Sequence, residues 1–554
     1  MVAKAFLEQL RAERAMSVDE LWASAEGRLD RPISEGLNTA HETCDRWARD
    51  RARLAMIVRH PDGTSERWTF ADLAEASSRL ASTLRAAGLR RGDRFAALLT
   101  QGIEAYICAL AAWRSGFVYL PLFVGFGPDA LAERLNNGEP KAIVVDHRYR
   151  DTLERARELL TGDPAIYTLT GPGGRGIVAG DRSLWAEIDR HTADGGMVAT
   201  AADEPATLIY TSGTTGPPKG CIQPHSLLLV LDPFIRHTFA LEPGDMFFTG
   251  ANPGWSYGLY TTGFGVMAHG HPRVVYTGDF SPAAWLEVFR TERVTYTGAA
   301  PSAYRQLASY AKRQGLPPSI RGATSAGEPL DAPLVDAWRG LATDGRSLGD
   351  IQDGYGLSEA GMALANLAYP DTPVVPGALA SICPGYEVGL VDENGVEQAE
   401  QGIIALRNPR YLASTGYWNA QDRWNERWQG EWFVSGDLAR RDEHGRWWFV
   451  GRNDDLIVTS GYNVGPTEVE NIVLAHPGVR DAAVVGAPDP ARGSVVRAVV
   501  VVNGTVPQAQ ITEELQSQVR ERLGRHAYPR IVDFVDELPR TESGKVRRNL
   551  LRSG

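Results

Sequence analysis

Tyr210-Thr-Ser-Gly-Thr-Thr-Gly-Pro-Pro-Lys-Gly220 follows directly on the apolar segment 206–209 and combines three glycines, a run of hydroxyl side chains and one lysine. Glycines leave backbone N–H groups free to curl around an anion, hydroxyls add donors, and lysine supplies a compact charge. An apolar strand running into such a loop therefore has the chemistry of a polyphosphate cradle. The spacing is not G-x-x-x-x-G-K-[ST], because Lys219 is preceded by Pro217 and Pro218 and followed by Gly220. Taken alone, the run also fits a polar surface loop. Lysine usage weighs against that: of 57 basic residues only Lys4, Lys141, Lys219, Lys312 and Lys545 are lysines. Lysine kept where arginine is otherwise used points to sites needing a flexible point charge.

On the N-terminal side of this loop the pattern alternates. The spacing predicts a helix over 69–87 after a capping threonine and ending at Gly88, a strand over 94–99, a helix over 102–114, and strands over 117–122 and 142–145. The Gly-, Asp- and Thr-rich stretch 161–197 reads as an irregular connection. Beyond the loop come a helix over 282–290, an apolar-then-turn segment over 294–301 and a β-rich stretch over 377–407. The character changes after Arg452-Asn-Asp-Asp455: a helix over 466–476 with Pro466 in its first turn, strands over 482–485 and 495–502, a helix over 512–523 and a strand over 531–535. The expected architecture is α/β, with a large N-terminal domain of layered α/β sheets (1–452) and a small mobile C-terminal α+β domain (453–554).

Composition narrows the function. At 554 residues the chain exceeds one ordinary core, and 43% hydrophobic with 23% charged residues describes a globular protein. A net charge of -11 and the absence of a basic stripe argue against nucleic acid as partner. No apolar run reaches membrane-spanning length, and the N-terminal segment reads as a helix rather than a signal peptide. Cys44, Cys108, Cys221 and Cys383 stand far apart, which fits a reducing cytoplasm and no disulfide framework or zinc site. His225, His237, His269 and His271 are read as structural, since His269-Gly-His271 has too few companions for a closed metal site.

Four more segments carry chemistry: Ser325-Ala-Gly-Glu-Pro-Leu330, Asp353-Gly-Tyr-Gly-Leu-Ser-Glu-Ala-Gly361, Ser435-Gly-Asp-Leu438 and Arg540-Thr-Glu-Ser-Gly-Lys-Val546. Singly, each has a plain reading. Glu328 fits a helix cap, Asp437 a turn, Lys545 a solvated tail.

Together and in this order, the five motifs resemble the adenylate-forming superfamily of acyl-CoA synthetases, adenylation domains and luciferases, from about residue 35 to 550. Val118-Tyr-Leu-Pro-Leu-Phe123 and Gly451-Arg-Asn-Asp-Asp455 bring the likeness closest to short- and medium-chain or aryl acyl-CoA synthetases. The resemblance implies ATP, Mg²⁺ and CoA. A carboxylic acid would attack the α-phosphate of ATP, releasing pyrophosphate, and CoA would then displace AMP. Thr211, Ser212, Gly213, Thr214, Thr215, Gly216 and Lys219 would hold the β- and γ-phosphates, and Glu359 the Mg²⁺. Gly327, Glu328 and Pro329 would wall the adenine. Asp353 would meet its amino group within the turn Gly354, Tyr355, Gly356 and Leu357, with Ser358 at the α-phosphate. Asp437 would take the ribose hydroxyls beside Arg452. The catalytic set would be Lys545, Thr214 and Glu359. Rotation of the small domain about Asp454 would replace Lys545 by Gly461 and Tyr462 at the thiol tunnel. Acetyl-CoA synthetases usually carry arginine where this chain has Asn463, so that phosphate contact is altered.

The acyl pocket would lie among Trp255, Tyr257, Gly258, Ala299, Ala326 and Gly356. In acetate-specific relatives the positions of Ala326 and Gly356 are bulky. Small residues here favour a larger acid, medium-chain or aryl/alicyclic. Peptide-synthetase adenylation domains carry an aspartate in the segment matching 254–257 to pair an α-ammonium, and its lack here argues against an α-amino acid. The alternative acceptor is a separate carrier protein or an amine.

Overall fold

The computed structural model describes residues 2–194, 196–211, 218–328, 330–342, 348–369, 374–379, 381–455, 457–459, 462–489, 493–504, 506–523, 527–540 and 545–552. Thr69 starts the helix Phe70–Ala86 through a reciprocal box. Its hydroxyl accepts from Asp72 N at 3.1 Å while the Asp72 carboxylate accepts from Thr69 N at 2.8 Å. The next helix, Ile103–Arg114, is buried at every position but Glu104, so it is an interior helix rather than an amphipathic surface one.

Parallel strands Arg94–Leu98, Val118–Leu122, Ala142–Asp146 and Ala165–Leu169 build one sheet, continued by Pro205–Thr211 beside Val118–Leu122. Lys219–Pro224 then returns antiparallel on Pro205–Thr211, with Thr211 opposite Lys219. The glycine-rich loop thus joins the two strands of a hairpin. The expectation of an irregular 161–197 is corrected. Ala165–Leu169 pairs with Ala142–Asp146, Arg182–Ser183 extends the sheet, and Leu184–Asp189 is helical. These elements are short, and the glycines between them mask their periodicity.

A second sheet carries parallel strands Phe247–Thr249, Tyr296–Gly298, Gly322–Ala326 and Ile351–Leu357, in neighbouring order. Ile351–Leu357 turns back antiparallel into Gly361–Ala365, with Leu357 opposite Gly361. Ser358, Glu359 and Ala360 are therefore the tip of a tight hairpin. Gly361 has φ +88°, and a Cβ there would stand 2.3 Å from Val230 Cγ1, so only glycine closes this turn. A third, antiparallel sheet holds Gln401–Arg407, Trp432–Arg441 and Trp447–Arg452, and sets Asp437 directly opposite Arg452.

From Ile457 onward a separate apolar core forms around Val469, Val484, Val500, Ile511 and Leu515. Helices Pro466–Leu474 and Gln508–Arg522 pack with Val479–Asp489, Gly493–Val502 and Ile531–Phe534. A large N-terminal domain and a small C-terminal α+β domain result. No described helix is long and apolar enough to cross a membrane. All four cysteines are free and buried.

Candidate functional site

The sheet ends and hairpins converge on one cavity of about 770 Å³. Thr211 and Lys219 reach it from the first hairpin, Ser358 and Glu359 from the second, Gly436 and Arg452 from the third sheet, and Lys545 from the small domain. Trp255, Tyr257, Gly258, Ala299, Ala326, Gly327, Gly356 and Leu357 line it too. Segments separated by more than three hundred residues are thereby brought into one chamber.

At the charged end, Glu359 is 9% exposed and accepts a hydrogen bond from the Tyr417 hydroxyl at 2.7 Å on Oε1. Lys219 Nζ lies 5.2 Å from the Tyr417 ring centroid. Desolvation, with Arg423 and Arg427 nearby, lowers the Lys219 pKa. An anion seated there would reverse that push. Asp437 is 5% exposed, accepts from Tyr355 OH at 2.7 Å and stands 3.6 Å from Arg452. Burial raises its pKa, against the charges of Arg452, Lys545 and Arg427. Arg427 joins this end as a further cation, its guanidinium donating to the Ser435 carbonyl at 2.9 Å.

Asp353 is half-buried and accepts from Ser325 Oγ at 2.6 Å across neighbouring strands. Burial pushes its carboxyl up to about 7. Gly354 is buried, and a Cβ there would meet Met362 Cε at 2.6 Å and a Phe234 ring carbon at 2.7 Å.

Two expectations change. The Glu328 carboxylate accepts from Ser302 N at 3.1 Å and Ser302 Oγ at 3.2 Å, at the start of helix Pro301–Gln314. It serves as a helix cap, because orphan N–H groups at that end need an acceptor, and Gly327 rather than Glu328 faces the cavity. Gly356 does border the cavity, but a Cβ there would stand 2.4 Å from Gly361 O and 2.7 Å from Met362 Sδ. The side of Gly356 that a side chain would fill is therefore occupied by the returning hairpin strand.

Ser212, Gly213, Thr214, Thr215, Gly216, Pro329 and Gly461 lie outside the described residues, and the side chains of Asp454, Tyr462 and Asn463 are likewise not described. His225 is fully buried, its Nδ1 accepting from Thr39 N at 3.0 Å, and burial lowers its pKa to about 4. His237 and His269 stand 3.5 Å from Glu13 and Asp232, and none of the three borders the cavity.

Sequence reading passed over Phe123, Leu227, Leu231, Met362, Tyr417 and Arg427. Phe123 follows the Val118–Leu122 strand, its ring tilted by 40° to Trp255 with centroids 5.3 Å apart, and Phe126 lies 6.2 Å from the same indole. Its position just after a predicted buried strand was the available signal. Leu227 and Leu231 share a face of helix Leu227–Phe234 at i, i+4. Tyr417 and Arg427 have no local signal, since their partners are far away in sequence.

The AMP-binding enzyme family matches residues 41–418, and its C-terminal domain residues 468–545. An uncharacterized acyl–CoA ligase of Bacillus subtilis, YtcI, is 31% identical over 512 residues, covering 90% of this chain and 93% of that protein. Among solved structures, the anthranilate CoA ligase AuaEII in complex with anthranoyl-AMP superposes with a TM-score of 0.84 at 25% identity, covering 94% of this chain and 98% of that one. A benzoate CoA ligase from Burkholderia xenovorans LB400 gives 0.81 at 26% identity, covering 93% and 99%. The chain belongs to the AMP-binding enzyme family as an acid–thiol ligase, which forms an acyl-adenylate from ATP and a carboxylic acid and passes the acyl group to CoA.

Proposed function

We propose that this ligase activates an aryl or alicyclic monocarboxylic acid with no charge beyond its carboxylate. The observation that carries the reading is the division of the cavity. Its charged lining residues Lys219, Glu359, Arg427, Arg452 and Lys545 belong to the groups around Glu359 and Asp437. The remaining wall includes Phe123, Trp255, Tyr257, Leu227, Leu231 and Met362 and, among the described residues, no charge to pair a second carboxylate or an ammonium. Offset and edge-on aromatic contacts suit a flat ring. A medium-chain acid fits the same apolar wall and is the competing outcome of the test below.

The roles follow the chemistry. The acid's carboxylate oxygen attacks the α-phosphorus of ATP, forming the mixed anhydride as the bond to pyrophosphate breaks. Lys219 and residues 211–216 hold the leaving phosphates, and Lys545 neutralises charge between the carboxylate and the α-phosphate. Ser358 orients that phosphate. Asp437, held by Tyr355, accepts from the ribose hydroxyls beside Arg452, and Asp353 accepts from the adenine amino group. Mg²⁺ fits Glu359, because Tyr417 occupies only Oε1 and a single carboxylate with phosphates and waters suits this hard cation. When bound, the ion neutralises phosphate charge. In the second step the CoA sulfur attacks the acyl carbonyl and AMP leaves. The small domain, 453–554, turns about Asp454 between the steps, bringing Gly461 and Tyr462 to the thiol. Four buried thiols without disulfides support a cytoplasmic setting.

The test is pyrophosphate release from ATP with acetate, octanoate, benzoate, substituted benzoates or cyclohexanecarboxylate, each with and without CoA. Fastest turnover with a ring acid, dependent on CoA, supports the reading. Fastest turnover with octanoate overturns the acid class. Slow release indifferent to CoA would shift the acceptor to a carrier protein or an amine.

A further inference from the structure

Gln223 belongs to none of the five motifs, yet it sits where the two ends of the cavity meet. It lies on strand Lys219–Pro224, four residues beyond Lys219, and its side chain is 0% exposed. Its Nε2 donates to Ser256 Oγ at 3.1 Å and to the Ser358 carbonyl at 3.4 Å. Ser256 and Ser358 both border the cavity, the first in the segment Trp255–Gly258 of the acyl wall, the second in the hairpin that carries Glu359. One amide therefore bridges the acyl wall and the phosphate segment.

The orientation of that amide is fixed by its partners. A carbonyl can only accept, so the group facing Ser358 O must be the NH₂, and Oε1 points away, buried and without a partner among the described residues. The same NH₂ supplies a proton to Ser256 Oγ. A hydroxyl that accepts there keeps its own O–H to donate, and no described protein group receives it. Ser256 is half-buried on the cavity wall, so this O–H is left to the cavity.

We propose that Gln223 is a positioning residue for the acid: it sets Ser256 as a donor into the acyl end and ties that donor to Ser358, so that the acyl carboxylate is registered against the α-phosphate. The inference rests on the acid lying along this wall, as in the function proposed above. The wild-type acid profile tests that reading separately.

The experiment measures steady-state KM for ATP and for the panel acid that the wild-type enzyme turns over fastest, in Gln223→Met, Ser256→Ala and the double variant, with melting temperature as a control. Gln223→Met keeps side-chain volume and removes the donor. The expected result is an acid KM raised about tenfold, the scale of one hydrogen bond to a charged group, with ATP KM within about twofold. The double variant should be no worse than Gln223→Met. Gln223→Glu should fail at pH 8, where a carboxylate faces the Ser358 carbonyl, and recover in part at pH 6 as protonation returns a donor. Should Gln223→Met fold poorly, Ser256→Ala, on the cavity surface, must still show the KM split. An unchanged acid KM, equal shifts in both KM values, or additive single variants would overturn the role.

Discussion

Tyr417 joins two groups that the sequence places far apart: its hydroxyl donates to Glu359 at 2.7 Å while its ring lies 5.2 Å below Lys219 Nζ. Tyr417→Phe keeps the ring and leaves one oxygen of a buried carboxylate without its donor. With Glu359 as the proposed Mg²⁺ ligand, the concentration of Mg²⁺ for half-maximal activity is expected to rise about tenfold, the cost of losing a partner that orients such a ligand. The maximal rate should stay within about threefold. A Mg²⁺ titration at saturating ATP checks both.

Asp353 makes stability depend on pH. Its carboxyl titrates at about 7 in the folded chain, against about 4 for an ordinary aspartate. Between those values the folded state binds the extra proton, so this group's contribution is full below pH 4 and is lost as pH rises through 7. Asp353→Asn keeps an acceptor for Ser325 and removes the titration. It should gain about 1–2 kcal/mol over wild type at pH 8 and little at pH 4; the full shift is discounted because the side chain is not fully shielded from water. Urea unfolding at the two pH values measures this.

Gly356→Ala is expected to be severe despite its small size. The added Cβ would lie 2.4 Å from a backbone oxygen and 2.8 Å from Met362 Cα, neither of which can swing aside. A loss of about 2–4 kcal/mol follows, read as a fall in melting temperature. Met362→Ala instead removes the flexible neighbour and should move the acid preference towards larger rings, measured on the same acid panel.

Lys545→Gln separates the half-reactions. Acid-dependent ATP–pyrophosphate exchange is expected to fall about a hundredfold or more, the usual effect of deleting one group aimed at developing charge. Thioester formation from supplied acyl-adenylate should remain within about threefold. Acetylation of Lys545 removes the same charge and should act alike.

Much of this was legible in the chain. The parallel α/β layers show in alternating apolar runs, and the capping role of Thr69 in Asp72 three residues on. The ordered motifs single out Lys219, Glu359 and Lys545, which the fold brings to one chamber, and Asp437, which stands 3.6 Å from the lining residue Arg452. What stayed hidden depends on distance. Glu328 looks like an adenine wall until the start of helix Pro301–Gln314 comes near enough to claim its carboxylate. Gly356 looks like an open door until Met362 returns on the paired strand. Gln223 is silent because its partners lie 33 and 135 residues away.

The cross-strand pairing of Asp437 with Arg452 has a consequence for the chain just beyond it. Arg452 is the last residue of its strand, and Asn453–Asp455 follows as a single tight turn leading to the small domain. A ribose bound at Asp437 would be gripped on the very rung from which that turn departs. Nucleotide occupancy should thus act as a brake on the proposed turning of the small domain, and show first as slower protease cleavage around Asn453, with the distant large core unaffected.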